Sequence, residues 1–356
     1  MANWPWLLAY ALITFASFPH PWKEGSLDFG LPLAWFGPAC LLMALKNQAP
    51  RAAARTAFLG AWLAHAMVLH WIYVVVVTYG GAPGIAGVVG VIGMGAGVAA
   101  HFAVFGLAWA FLCRRGWGNP FVAAALWTTM EYVRCYLILG GFPWASLGYA
   151  QHLNRPLCAM ASVTGVYGLS FVVVLASAAL VDLCSARHQR TPFPRLAGLA
   201  LALVAVLHLL GWVQLSKDSK VPVKAETLRM AVLQGNISQG VKWSPEWADQ
   251  TMQIYEQLSR RAATQGATLI VWPETAVPSS ILTDQEVRRR LENLARETRA
   301  ALVVGGVGIE FGLKDSNGRP DLENLSYFDS AFVFDSRGQL RERYDKVHLV
   351  PFGEYV

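Results

Sequence analysis

A multi-span α-helical membrane domain followed by a separate α/β domain is the fold class this 356-residue sequence predicts, and three observations carry it. The first is charge: residues 1–216 hold 11 Lys+Arg and 4 Asp+Glu, whereas residues 217–356 hold 18 and 19. The second is a succession of apolar stretches in the first part, several near the roughly 20 residues a helix needs to cross a bilayer. The third is a switch after residue 217 to short apolar runs alternating with amphipathic stretches, the pattern of strands layered with helices. The basic balance therefore belongs to the apolar part, which argues against nucleic acid as a partner. Domains of 1–216 and 217–356 follow, on a length sufficient for two.

The apolar stretches come in order as Trp4–Phe18, Leu31–Leu45, Thr56–Thr78, Ile85–Cys113, Pro120–Leu139, Leu157–Val181 and Leu196–Val213. The first two are short and separated by Pro19-His20-Pro21-Trp22-Lys23, so they read either as two short spans or as one re-entrant pair. Nothing basic precedes Trp4, and a cleaved signal peptide is not expected. With about seven crossings the two ends of this domain lie on opposite sides. One set of loops carries Lys46, Arg51, Arg55, Arg114, Arg115, Arg187, Arg190 and Arg195; the other carries Lys23 and Arg155. The positive-inside rule then predicts a cytoplasmic N-terminus and a second domain on the outer side of the membrane, which is the periplasm if the cell has an outer membrane.

Within this domain the glycines of Gly84–Gly106 predict close helix packing. His65 and His70 are five apart, about 140° around a helix, so hydrogen-bonding roles are expected for them and for His101 rather than a metal site. The five cysteines, Cys40, Cys113, Cys135, Cys158 and Cys184, lie in or beside the spans without CxxC spacing, and neither disulfide nor zinc is indicated. Glu131 and Arg134 are three apart and able to pair on one helix face, as a structural ion pair or a substrate contact. Just after them, Gly141-Phe142-Pro143-Trp144 reads as a substrate loop or as an interfacial anchor.

After a polar linker at Lys217–Lys224, strands are expected at Leu228–Gln234, Thr268–Trp272, Leu302–Gly306 and Ser330–Asp335. Helices are expected at Pro245–Thr264 and Asp284–Arg299, with Arg288–Arg290 on a solvated face. Together they predict an α/β sandwich. Two stretches carry chemistry. In Leu269–Thr275 an apolar run ends on a carboxylate, Glu274, and in Tyr344–Tyr355 a lysine, Lys346, and a glutamate, Glu354, interrupt an aromatic and aliphatic run. A carboxylate at a strand end and a lysine on a second strand are two parts of a base and oxyanion-stabiliser set, to which a nucleophile must be added. The Trp272-Pro273 setting predicts that desolvation raises the pKa of Glu274 toward neutral.

These residues resemble the carbon–nitrogen hydrolase (nitrilase) superfamily and, more narrowly, its apolipoprotein N-acyltransferase family. The resemblance runs through Gly141-Phe142-Pro143-Trp144, Gly148-Tyr149, Gln151, Gln234-Gly235-Asn236-Ile237, Lys242-Trp243, Trp272-Pro273-Glu274 and Lys346 to Glu354. It implies a nitrilase-like αββα sandwich, incomplete at its C-terminus. Glu274 would be the general base, Lys346 the oxyanion stabiliser, Glu354 a further active-site carboxylate and Trp243 a substrate-side residue. The implied reaction is a ping-pong transfer through a cysteine thioester, from a phospholipid acyl donor to the α-amino group of diacylglyceryl apolipoproteins. No cofactor and no metal are needed, the membrane is the site of action, and a monomer is expected. The family's nucleophilic cysteine would follow Lys346 and is not among these 356 residues, so the chain by itself is expected to form no acyl-enzyme. Two other readings stay open: a membrane-tethered amidase acting on a small amide, and a non-enzymatic binding module.

Overall fold

The computed structural model describes residues 3–23, 25–136, 141–218, 227–238, 240, 242, 244–312 and 321–349. The chain divides into two compact units, Met1–Val221 and Pro222–Val356.

The first unit is helical. It opens with α1 (Trp4–Ala16) and a small antiparallel hairpin, β1 (His20–Trp22) with β2 (Gly25–Leu27), which the sequence does not announce. Then follow α2 (Gly30–Leu33), α3 (Gly37–Leu45) and α4 (Pro50–Val68), the last two opened by proline in their first turn. There proline's missing N–H costs no helical hydrogen bond. Helix α4 bends by 58° into α5 (Ile72–Val74) and a π turn, Val75–Tyr79. The bend falls at Leu69–Trp71, and the run Val74-Val75-Val76-Val77 that follows ends α5 and enters the π turn. Next come α6 (Gly84–Arg114), α7 (Pro120–Tyr136), α8 (Arg155–Ala159), α9 (Ala161–Gln189) and α10 (Arg195–Asp218).

Among the described residues α6, α9 and α10 are long and apolar enough to cross a membrane, and the bent α4–α5 segment makes a fourth if counted as one span. Helix α1 has 13 residues, a rise of about 20 Å against a hydrocarbon core of roughly 30 Å. Helix length alone therefore does not carry a count of seven full crossings. The stretch Leu157–Val181, expected as one span, is interrupted near its start: α8 ends at Ala159, and Gly165 takes a left-handed φ of 62° inside α9. Leu137–Leu139, the end of the expected fifth span, lie outside the described residues.

Small residues set the packing of α4 on α6. A Cβ on Gly106 would stand 2.6 Å from the Ala53 carbonyl oxygen and 2.7 Å from the Ala57 Cβ. The buried Trp127 of α7 meets Phe102 and Phe105 edge-on, with ring centroids 4.8 and 5.3 Å away. Each of His65, His70 and His101 donates from Nδ1 to a carbonyl of its own segment, at Ala61, Met67 and Gly97.

The second unit is a six-stranded mixed sheet. Strand β3 (Met230–Val232) runs parallel to β4 (Leu269–Val271), which runs parallel to β6 (Ala301–Gly312). Antiparallel β7 (Asp321–Phe334) and β8 (Leu340–Asp345) continue the order, and β5 (Val277–Ser280) pairs with the far part of β6. Two helices accompany them. Helix α11 (Pro245–Thr264) has the expected bounds, and α12 (Gln285–Thr298) is capped by Asp284, whose carboxylate accepts from the N–H groups of Glu286 and Val287. Ile270, Leu291, Leu302, Phe332 and Phe334 are fully buried between sheet and helices.

Three expectations change here. Strand β5, which contains Pro278, is not anticipated, and the strand expected to carry Lys346 lies earlier than its apolar run suggests: β8 reads Leu-Arg-Glu-Arg-Tyr-Asp and ends at Asp345, one residue before the lysine. Strand β6 continues past Gly306, because its carbonyls and amides stay paired with β7 as far as Gly312. Arg290 is not on a solvated face. It bridges the two helices to Asp249 (2.5 Å) and Glu256 (2.7 Å) of α11, while Arg288 pairs within α12 with Glu292.

Candidate active site

Strand β4 delivers Trp272-Pro273-Glu274 to its C-terminal end. The Trp272 indole is buried, donates to Ser259 Oγ (2.9 Å) and stacks on Tyr255 at 5.0 Å between ring centroids, so the chain leaves the sheet at a fixed point. Thr275 then takes a left-handed φ of 47°, rare for a branched residue, and turns the backbone sharply behind Glu274. Lys242 stabilises that turn by donating to Thr275 Oγ1 (2.6 Å) and to the Glu274 carbonyl (3.3 Å). From below, Gly305 of β6 lies against it: a Cβ there would meet the Pro273 carbonyl oxygen at 2.2 Å and Glu274 Cα at 2.8 Å. A glycine inside a strand is here the condition for the close approach of another backbone.

Lys346 arrives from β8, one residue past its last paired position, and its backbone N–H donates to the Asp329 carbonyl of β7 (2.9 Å). Its Nζ donates to Glu274 Oε1 at 2.8 Å and lies 3.9 Å from Asp329 Oδ2. Two residues 72 positions apart in sequence are thus in direct contact. The Glu274 side chain is 61% exposed, Lys346 27% and Asp329 17%. Beside the pair opens a cleft of about 210 Å³, lined by Gln234–Ile237, Lys242, Tyr255 and Glu274 among others.

The expectation that desolvation raises Glu274 is overturned. A hydrogen bond with the Asp329 carboxyl and the Lys346 ammonium hold the Glu274 carboxyl below the usual carboxylate range, outweighing a smaller opposing effect of burial. The reason is geometric: an open strand end exposes the carboxylate, and Trp272, which would have desolvated it, points into the core instead. At neutral pH the site therefore presents an ionised acceptor held beside an ammonium donor. Asp329 is missed by the sequence reasoning because the expected fourth strand starts one residue after it, at Ser330. A carboxylate in the otherwise apolar and aromatic run Tyr327–Phe334 was the available signal.

The remaining sequence-predicted residues fall elsewhere. Trp243 and Glu354 lie outside the described residues. Glu131, Arg134 and Trp144 belong to the membrane unit, where among the described residues Glu131 and Arg134 form no ion pair with each other. Glu131 Oε1 instead accepts from the Trp127 indole (3.0 Å) and the Leu147 N–H (2.8 Å), and Arg134 donates to the Trp144 carbonyl (2.5 Å) and Ser146 Oγ (3.0 Å). Both side chains are buried and clamp the loop 141–147, on which Trp144 stands half exposed between Trp71 and Phe142. Among the described residues no group of three or more His, Cys, Asp or Glu is placed to hold a metal ion.

Residues 3–179 match the apolipoprotein N-acyltransferase N-terminal domain, and residues 229–356 match the carbon–nitrogen hydrolase domain. The apolipoprotein N-acyltransferase of Geobacter metallireducens is 39% identical over 96% of this chain and 62% of its own length. That of Pseudomonas paraeruginosa is 36% identical over 91% of this chain and 60% of its own length. The chain thus spans about three fifths of the length of these relatives. Among solved structures, an amidase from Nesterenkonia sp. is 24% identical over 38% of this chain and 49% of that chain, at a TM-score of 0.27. With both domains matched in order along a chain whose first unit carries helices long and apolar enough to cross a membrane, the chain belongs to the apolipoprotein N-acyltransferase family of the carbon–nitrogen hydrolase (nitrilase) superfamily.

Proposed function

We propose that this chain serves the N-acylation of lipoproteins, with Glu274 and Lys346 at the reacting centre. The observation that carries the proposal is the 2.8 Å contact between their side chains at the mouth of the cleft. In this reading a cysteine thiol, which by the family pattern follows Lys346 in the chain, gives its proton to Glu274 and attacks the ester carbonyl of a phospholipid. Lys346 stabilises the negative oxygen of the tetrahedral intermediate. As the intermediate collapses, the lysophospholipid oxygen takes the proton back and an acyl thioester remains. The α-amino group of a diacylglyceryl-cysteine then attacks the thioester, Glu274 accepts its proton, and the thiol leaves with an amide formed. A depressed Glu274 suits a group that must be ionised at the start of each half-reaction, and the adjacent ammonium favours the thiolate. Trp243 and Glu354 enter as substrate-side and supporting residues, and the loop of Trp144 as a contact to lipid.

The proposed setting is the bacterial inner membrane, with the N-terminus cytoplasmic and the hydrolase-like unit periplasmic, supported by the loop charges and by helices able to span a bilayer. Protease added to intact spheroplasts should remove the unit after Lys217 and spare epitopes near Arg51 and Arg187; protection of that unit contradicts the orientation. For the reaction, the full-length protein in membranes is incubated with acyl-labelled phospholipid. A hydroxylamine-sensitive adduct that is chased onto a diacylglyceryl peptide amine supports the proposal. Hydrolysis of a small amide with no lipid-derived adduct contradicts it.

A further inference from the structure

The larger of the two cavities described lies in the membrane unit, at the end of the bundle where the ends of α3 and α6, the start of α7 and the last turns of α9 meet. Its volume of about 450 Å³ falls within the roughly 300–1,000 Å³ typical of small-molecule sites. The lining is amphipathic in an ordered way. Leu42, Leu45, Trp109 and Val181 form an apolar floor, and the polar groups come from the helix ends around it.

Two of those groups have opposite charge and stand apart. Lys46 closes α3, and its Nζ is held by a 2.7 Å hydrogen bond to Ser185 Oγ. Asp182, three residues before Ser185 on the same face of α9, lies within the field of Lys46 but forms no direct ion pair or hydrogen bond among the described residues. Arg114, at the end of α6, adds a second cation at the exposed mouth. A cation and a carboxylate kept separate in one cavity complement a ligand that carries both charges, and the second cation favours phosphate as its anionic part. The apolar floor, continuous with helices able to span a bilayer, complements acyl chain immediately behind those charges.

We propose that this cavity is a binding site for a zwitterionic glycerophospholipid, its phosphate facing Lys46 and Arg114 and its primary ammonium facing Asp182. The site is distinct from the Glu274–Lys346 cleft, and its existence does not depend on the catalytic reading. Binding here involves no covalent step: a lipid headgroup fills the space between four helix ends and supplies the direct ionic partner that Asp182 lacks among the described residues.

The test uses the full-length protein in phosphatidylcholine nanodiscs containing a small fraction of phosphatidylethanolamine with a photoactivatable diazirine near the top of one acyl chain. Cross-links are mapped by mass spectrometry. The expected result is adducts on peptides covering residues 42–48, 109–120 and 178–189. Unlabelled phosphatidylethanolamine competes for them, while phosphatidylglycerol, which lacks the amine, competes about tenfold less well, the scale of one charge-assisted hydrogen bond. Asp182→Asn and Lys46→Gln each lower the yield by a similar factor, whereas Lys46→Arg retains it. Adducts spread evenly over the outer helix surfaces, or a yield indifferent to both headgroup and variant, overturn the proposal. Competition by millimolar inorganic phosphate also overturns it, by making the cavity a site for soluble anions. The competition arms use the unaltered protein, so they decide the matter even where a variant folds poorly.

Discussion

Each unit of this protein holds one acid–base pair that sequence spacing or motif singles out, and the two pairs do opposite things. Glu131 and Arg134 are buried at 4% and 3% exposure and turn away from each other to hold a loop, through the Leu147 N–H on one side and the Trp144 carbonyl and Ser146 hydroxyl on the other. Glu274 and Lys346 face each other at 2.8 Å with Glu274 open to solvent and to a cleft. The buried pair is closed off from solvent and bound to the loop, although Glu131 Oε2 has no hydrogen-bond partner among the described residues, so burial rather than complete pairing withholds it from a substrate. An exposed pair contributes little to stability, since solvent screens it, but remains available for chemistry. The comparison separates structural from reactive carboxylates by what their oxygens touch rather than by residue type.

The comparison can be broken at several points, beginning with the largest expected effect on stability. Arg134→Ala removes a buried guanidinium and strands the groups it served, at a cost of about 3 kcal/mol. A thermal scan in detergent should show the loss, and an unchanged melting temperature would make Arg134 a substrate contact after all. Gly305→Ala forces a methyl against the Pro273 carbonyl and Glu274 Cα, and should cost about 2 kcal/mol while moving Glu274 away from Lys346. Full stability together with full activity in that variant would show the close approach to be dispensable. Removing the helix cap with Asp284→Ala is worth about 1 kcal/mol, because the N–H groups of Glu286 and Val287 lose their acceptor.

The smallest effect concerns pH. Because Asp329 and Lys346 hold Glu274 below the usual carboxylate range, the Glu274–Lys346 contact is complete above that range and is lost only as pH falls through the lowered value. The acid limb of thioester formation should therefore lie on the acid side of an ordinary glutamate. A limb near neutrality would restore a desolvated, raised base.

How much of this was legible in the sequence follows from what each element depends on. Helix α11 was readable to the residue, because Ser244-Pro245 marks its start and an amphipathic pattern runs to Thr264. Glu274 and Lys346 were readable as motif residues, each at the edge of an apolar run. Their place in one catalytic set was expected, but their direct contact was not read from the motifs, and the ionisation of Glu274 was not either, because it depends on Asp329 from β7 and on which way the Trp272 ring points. The start of strand β8 was hidden by its own charges, Arg341, Glu342 and Arg343, which break the apolar pattern by which a strand is read. In the membrane unit the apolar stretches were plain, but their breaks at Gly165 and after Val68 were not. Spacing placed Glu131 and Arg134 on one face, and only the fold of loop 141–147 decided that they bind it rather than each other.

The most direct measurement of the contrast is acyl-thioester formation per folded molecule in four variants of the full-length protein: Glu274→Gln, Lys346→Met, Glu131→Gln and Arg134→Ala. Melting temperatures are recorded in the same preparations. The expected outcome is a loss of about 100-fold or more, the scale of a catalytic base or oxyanion donor, in the first two with little change in melting temperature. The latter two should melt earlier yet form the adduct at near wild-type rate in whatever fraction stays folded. Near wild-type thioester formation in Glu274→Gln or Lys346→Met, with loss confined to the buried pair, would contradict the assignment of chemistry to the exposed pair.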